Sequence, residues 1–114
     1  MDDTDSVTYS PFVLLIGEAQ SLILHDDAMT ARTHVFEERS EGWLGNGYDW
    51  TSIARVVVEE RLPEVRDDLD FNSEGGMFVA IGSVEALRKL GEEMKRVFDD
   101  EASIRDILGR AELD

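Results

Sequence analysis

The 114-residue chain contains no cysteine. Disulfide bonds, thiolate metal ligands and cysteine nucleophiles are therefore excluded from any account of its fold or function. Histidine and proline are scarce as well, with two residues of each type. Hydrophobic residues nevertheless make up 42% of the chain, which is enough to bury a core in one domain of this length.

Long hydrophobic runs are also absent. None is longer than that of Phe12–Ile16, which is far shorter than a membrane-spanning helix requires. The first ten residues are acidic and lack the basic and apolar regions of a secretion signal. We therefore expect a cytoplasmic protein, with residues 1–10 as a flexible acidic tail and residues 11–114 as a single α+β domain.

Positive charge is in short supply, because 11 basic residues face 26 acidic ones and the formal net charge is -15. Phosphate backbones and anionic membranes attract clustered Lys and Arg, so both would repel this chain. We expect no nucleic-acid or membrane partner, and a basic protein is the natural complement. The alternative is that the excess carboxylates only keep a small protein soluble or reflect a salty habitat.

The hydrophobic pattern predicts a strand pair followed by a long helix. Short apolar runs at Phe12–Gly17 and Ser21–His25 are separated by a hairpin-length link, which favours antiparallel pairing. Residues 26–35 are either a loop or one or two turns of helix. Apolar residues then recur at helical spacing over Trp50–Arg61, with Asp49 in front as the predicted N-cap. Three consecutive valines in this helix make a strand the competing prediction.

The second half of the chain repeats this arrangement. Pro63 ends the first helix, and a short helical stretch is predicted over Glu64–Leu69. Gly75-Gly76 predicts a tight turn between strands at 70–73 and 77–82, because a glycine pair accepts positive φ angles. Ser83 then caps a helix with a clean apolar stripe, and a last helix covers Glu101–Gly109. The stripe consists of Leu87, Leu90, Met94, Val97 and Phe98.

The element order is therefore β-β-α-β-β-α-α. Two hairpins and several amphipathic helices predict a two-layer α+β domain, with an antiparallel sheet and helices packed on one of its faces.

The segment Phe36–Trp50, FEERSEGWLGNGYDW, holds both tryptophans and three glycines. Aromatic side chains within a polar rim are typical of protein interfaces. Trp43, between glycine and leucine, is the aromatic residue that we expect to be exposed, whereas Trp50 is expected in the core. Tyr48 is either an exposed anchor or a ring packed under the loop, and Glu37 and Glu38 either contact a partner or only solvate their element. The predicted partner-binding residues are Glu37, Glu38, Glu41, Trp43, Leu44, Tyr48 and Asp49.

The same segment resembles the immunity protein 51 family of bacterial polymorphic toxin systems. The likeness rests on Phe36-Glu37-Glu38-Arg39, on a glycine-rich link, and on Asn46-Gly47-Tyr48-Asp49-Trp50 leading into Ser52-Ile53-Ala54. It extends over roughly Phe12 to Phe98, and Trp43 and Leu44 form a local elaboration of the link. The resemblance implies a non-enzymatic immunity protein that neutralises a cognate toxin domain by stoichiometric binding.

Motifs for catalysis are lacking. No Gly-x-Ser-x-Gly occurs, and the glycine-rich run is not followed by the Lys-Ser/Thr of a phosphate-binding loop. We expect no catalytic residue, no cofactor and no metal. One alternative is a small metal- or ligand-binding domain, or a hydrolase, that uses His25, Asp26 and His34. Another is a self-associating adaptor that uses Val56–Val58 or the last helix, although a monomer or weak dimer is the expected state.

Overall fold

The computed structural model describes residues 3–17, 19–39 and 42–111. Its elements follow the order β1 Asp3–Asp5, β2 Val13–Ile16, β3 Ser21–His25, α1 Asp26–Thr30, α2 Thr33–Glu37, α3 Gly47–Arg61, a 3₁₀ helix at Pro63–Asp68, β4 Leu69–Phe71, β5 Met77–Gly82, α4 Val84–Phe98 and α5 Glu101–Leu108. The predicted α+β class is confirmed.

The strands form one five-stranded antiparallel sheet in the order β1-β2-β3-β5-β4. Because side chains alternate across a strand, every second residue points to the same face. One face consequently carries a set of side chains that are fully buried beneath the helices: Leu14, Leu22, Leu24, Phe78 and Ala80.

The helical layer packs on that face around Trp50. The Trp50 ring lies 5.5 Å from the Phe98 ring and 5.3 Å from the Phe36 ring, measured between centroids. Phe12 reaches the same cluster edge-on, 6.3 Å from Trp50. The predicted core position of Trp50 is confirmed, and so is the buried stripe of α4.

The opposite face of the sheet is also apolar, and the structure leaves it outside the helical core. It carries Val13, Leu15, Ile23, Met77, Val79 and Ile81, placed by the strand registers. None of the six belongs to the hydrophobic cluster that the helices form with the other face. We call these six residues the open face. Helices on one face of the sheet were predicted, but the apolar character of the other face was not.

The N-terminal segment differs from the predicted flexible tail. Asp3–Asp5 pairs with β2 as an edge strand, and Tyr9 is buried. The side chain of Tyr9 lies so close to Gly91 of α4 that a Cβ there would come within 2.9 Å of its ring. Lys95 also donates to the Ser10 carbonyl, at 3.1 Å. The acidic composition conceals these contacts, because they are made with residues far along the chain.

The predicted turn chemistry of the second hairpin is wrong, although the hairpin exists. Backbone bonds join Glu74 and Met77 in both directions, yet neither Gly75 nor Gly76 has a positive φ. The ambiguous stretch at 26–35 forms α1 and most of α2. The valine run lies in α3, which excludes the strand alternative.

The surfaces predicted for a self-associating adaptor are occupied by the fold. Val57 and Val58 are buried, and Val56 packs against the same cluster. The apolar side of α5 is buried as well, through Ile104, Ile107 and Leu108. In the part of the chain that the structure describes, no helix is both long and apolar enough to cross a membrane.

Candidate functional site

Two glycines shape the loop that enters α3. Gly42 and Gly45 have φ angles of 93° and 77°, in the left-handed region that side-chain-bearing residues avoid. Between them the chain turns Trp43 inward and Leu44 outward. We call residues 42–48 the entry loop.

Trp43 is buried, and the prediction that it is exposed is wrong. Its side chain is 3% exposed and its ring lies 6.5 Å from that of Phe36. The flanking glycines suggested a protruding loop, but they allow the backbone to fold the indole back onto α2. Trp43 therefore anchors the entry loop to the core and is not an exposed contact residue.

Asp49 fixes the conformation of the entry loop from within. Its Oδ2 accepts hydrogen bonds from the backbone N–H groups of Leu44, at 2.6 Å, and Gly45, at 2.7 Å. The predicted N-cap role belongs instead to Asn46, whose Oδ1 accepts from the Asp49 N–H at 3.0 Å. Asp49 is buried, so its carboxylate holds the loop in shape from beneath the surface.

Leu44 and Tyr48 remain exposed on this fixed support. Leu44 is 65% exposed and Tyr48 is 47% exposed. Among the large hydrophobic residues that the structure describes, only Val7 is exposed to a comparable extent. Of the two arrangements considered for Tyr48, the exposed one is found. Both residues were predicted as partner contacts, and their exposure is compatible with that role.

The entry loop lies against the β4–β5 turn because residue 47 is glycine. The Gly47 N–H donates to the Gly75 carbonyl at 3.0 Å, and a Cβ on Gly47 would overlap the Glu74 carbonyl oxygen. The Met77 carbonyl also lies close to Gly47, and Met77 pairs with His25 at the end of β3. The next residue, Asp26, begins α1. The entry loop, the hairpin turn and the start of α1 thus meet at one end of the sheet.

The remaining predicted acidic residues take different positions. Glu37 is exposed on α2. Glu38 binds Arg105 of α5 through two hydrogen bonds of 2.8 and 3.0 Å, and this contact lowers the pKa of the Glu38 carboxyl. Glu38 therefore joins two helices, a role that the sequence pattern did not reveal. Glu41 lies outside the described residues.

The residues of the alternative metal or hydrolase site do not converge. His34 Nε2 lies 3.0 Å from a carboxylate oxygen of Glu101, which follows 67 residues later in the chain. His25 ends β3 and is exposed. Within residues 3–17, 19–39 and 42–111, no three His, Asp or Glu side chains form a group that could hold a metal ion.

Comparison with known proteins supports the resemblance seen in the entry loop. The model of the family described as immunity protein 51 matches residues 16–113. No curated protein sequence and no solved structure matches the chain. The matched region includes three of the five strands (β3, β4 and β5) and all five α-helices, together with the whole entry loop. The chain belongs to the immunity protein 51 family.

Proposed function

We propose that this chain neutralises a cognate bacterial toxin domain by stoichiometric binding, with the entry loop at the centre of the contact. The family membership implies a toxin as the partner. The observation that carries the proposed location is the exposure of Leu44 and Tyr48 on a loop whose Trp43, Gly45 and Gly47 are buried. Large side chains at the centre of an interface supply most of the binding energy in protein complexes.

The support beneath these two residues reduces the cost of binding. Trp43 is packed in the core and Asp49 holds two backbone N–H groups, so the loop has little conformational freedom left to lose. Ordering a mobile interface side chain costs about 0.5–1.5 kcal/mol, and a pre-ordered loop avoids much of that cost. The Gly47 contact extends the support to the neighbouring turn.

Charge supplies the second part of the interaction. The net charge of -15 favours encounter with a basic partner and speeds association. Exposed carboxylates at Asp26, Asp27, Glu37 and Glu74 belong to the elements at the same end of the sheet or next to it. Close charge pairs across protein interfaces couple by roughly 1.5–7 kcal/mol. A basic active-site cleft on the toxin is therefore the surface that this end of the molecule would occlude.

The proposed action needs no catalytic step. The chain would inactivate the toxin by occupying its surface, with one copy bound to each toxin domain. We place this action in the cytoplasm, where a chain without cysteine loses nothing to reducing conditions.

The first experiment is recovery of the tagged chain from its native cells after washing at low and at high salt, with bound proteins identified. The proposal expects one stoichiometric partner with a toxin domain. That domain is then titrated with wild-type, Leu44→Ala and Tyr48→Ala chains by calorimetry. We expect each substitution to cost about 2 kcal/mol of binding free energy, because it removes an exposed anchor.

Val7→Ala is the matched control, since Val7 is 80% exposed and lies outside the entry loop. All three variants should unfold like the wild type, because surface substitutions usually change stability by less than about 0.5 kcal/mol. If a double Leu44→Ala/Tyr48→Ala variant binds the toxin with unchanged affinity, the toxin contacts another surface.

A further inference from the structure

We propose that a surface pocket between α3, the 3₁₀ helix and β4 binds a free amino acid with an apolar side chain. We call this cavity the α3 pocket. The inference goes beyond toxin binding and does not depend on it, because no residue of the entry loop lines the pocket. The cavity has a volume of about 240 Å³ and is lined by Arg55, Val58, Glu59, Arg66, Leu69 and Phe71.

One wall of the α3 pocket is apolar because of the way β4 lies against α3. Side chains alternate across a strand, so Leu69 and Phe71 point to one side of β4 and Asp70 points to the other. Leu69 and Phe71 pack against the hydrophobic core and stay half-buried, and Val58 of α3 is buried beside them. This wall therefore offers apolar surface against which a branched or aromatic side chain of a ligand can pack.

Arg66 supplies the group that we assign to the carboxylate of the ligand. Its side chain is exposed in the last turn of the 3₁₀ helix, and it forms no ion pair with any other residue that the structure describes. A guanidinium group holds a carboxylate through two parallel N–H donors. Five other arginines already contact carboxylates of this acidic chain: Arg32, Arg61, Arg96, Arg105 and Arg110.

Arg55 adds a second positive charge at a defined position. Its guanidinium carbon lies 5.9 Å from the centre of the Phe71 ring, a cation–π contact that keeps the side chain over the apolar wall. The net charge of -15 repels anions from most of the surface. Two arginines at one cavity reverse that effect locally, so the α3 pocket is a place where a carboxylate can approach.

Glu59 provides the one negative charge of the lining and defines the ligand class further. It is exposed and follows Arg55 by four residues, which places it one turn later on the same side of α3. Glu59 would repel a simple carboxylic acid, whereas it would pair with the ammonium group of an amino acid. The ligand's carboxylate, ammonium group and side chain are thus matched by Arg66, Glu59 and the apolar wall.

The size of the cavity agrees with this ligand. Pockets for drug-sized molecules have volumes of about 300–1,000 Å³. A cavity of about 240 Å³ is smaller and suits a molecule of amino-acid size.

NMR titration of the ¹⁵N-labelled chain with free L-leucine and L-phenylalanine tests the proposal. We expect saturable amide shifts concentrated at residues 55–59 and 66–71, with a dissociation constant on the order of 1 mM, as a small ligand in a partly open site allows. N-acetyl-L-leucine lacks the ammonium group, and L-leucinamide lacks the carboxylate. Each should bind about tenfold more weakly than L-leucine, because it leaves one charged group of the pocket unmatched.

Arg66→Ala should weaken the binding of L-leucine by about tenfold or more, since the carboxylate loses a charged donor. Arg88→Ala is the matched control, an exposed arginine of α4 outside the pocket, and should bind like the wild type. Glu59→Gln should remove the preference for L-leucine over N-acetyl-L-leucine. Unchanged amide shifts elsewhere in the chain confirm that each variant is folded.

Three results would overturn the proposal. The first is the absence of saturable shifts at about ten times the expected dissociation constant. The second is equal binding of L-leucine and N-acetyl-L-leucine to the wild type, which would mean that the ammonium group is not recognised. The third is unchanged affinity for L-leucine in folded Arg66→Ala.

Discussion

At the scale of single residues, the carboxylate of Asp49 does more for the candidate site than any exposed side chain. It is buried, and it accepts two backbone N–H groups of the entry loop at short distances. Hydrogen bonds to a charged acceptor are stronger than those between neutral groups. The conformation that exposes Leu44 therefore depends on a residue that does not itself reach the surface.

Asp49→Ala should lower the free energy of unfolding by about 2–4 kcal/mol, because the buried Gly45 N–H and the Leu44 N–H lose their acceptor. Urea unfolding measures the change. Asp27→Ala, at an exposed position of α1, is the control and should stay within about 0.5 kcal/mol of the wild type. Equal unfolding free energies for the two variants would show that Asp49 does not hold the loop.

The two tryptophans show how far residue-level prediction reaches. Trp50 was placed in the core correctly because Ile53 and Val57 repeat with it on one side of a regular helix, and periodicity reports burial there. Trp43 lies in an irregular loop, where no periodicity operates. Its burial depends on Phe36 and on two left-handed glycines, and the sequence does not reveal that combination.

At the scale of elements, the start of α3 and the β4–β5 turn form one unit. Gly47 lets the helix touch the turn directly, and its N–H is bonded there to the Gly75 carbonyl. The same contact also positions Tyr48, which directly follows Gly47. The hairpin thus supports the candidate site even though it contributes none of the predicted contact residues.

Gly47→Ala should destabilise the protein by several kcal/mol and weaken toxin binding, because the new Cβ would overlap backbone that cannot move aside cheaply. Gly76→Ala is the matched control in the turn itself. A Cβ at Gly76 meets nothing within 4 Å, and its φ is not positive. This variant should be stabilised by about 0.4–1 kcal/mol through the unfolded state. Thermal and urea unfolding measure the stability of both variants against the wild type. A Gly47→Ala protein of wild-type stability would contradict the close contact.

Elements with a strong local signal were predicted well. β3 was placed at Ser21–His25 and α4 at the residues after Ser83, since both have a clear apolar pattern and α4 has a side-chain cap. β1 was missed because Asp-Thr-Asp has little strand propensity, and its order comes from pairing with β2. The open face was missed for a related reason. Helices on one side of the sheet were predicted, but continuous apolar runs such as VLLI and MFVAI do not show that the uncovered side is apolar as well.

At the scale of the whole molecule, excess negative charge opposes the compact state. The basic residues are largely engaged in surface pairs such as Arg105–Glu38 and Arg110–Glu60, each bonded through two nitrogens. Exposed pairs of this kind contribute little individually and weaken in salt. The formal net charge of -15 remains after every basic residue is counted, and its repulsion is screened by the same salt.

Because 26 acidic residues stand against 11 basic ones, added salt should stabilise the protein. We expect the melting temperature to rise by several degrees between low and physiological ionic strength, which corresponds to about 1–2 kcal/mol for a domain of this size. A control variant with Glu59→Lys and Asp67→Lys changes two exposed acidic residues and moves the net charge from -15 by four units, to -11. It should melt higher at low salt and respond less to added salt. A melting temperature that falls with salt in both proteins would mean that the surface ion pairs outweigh the repulsion.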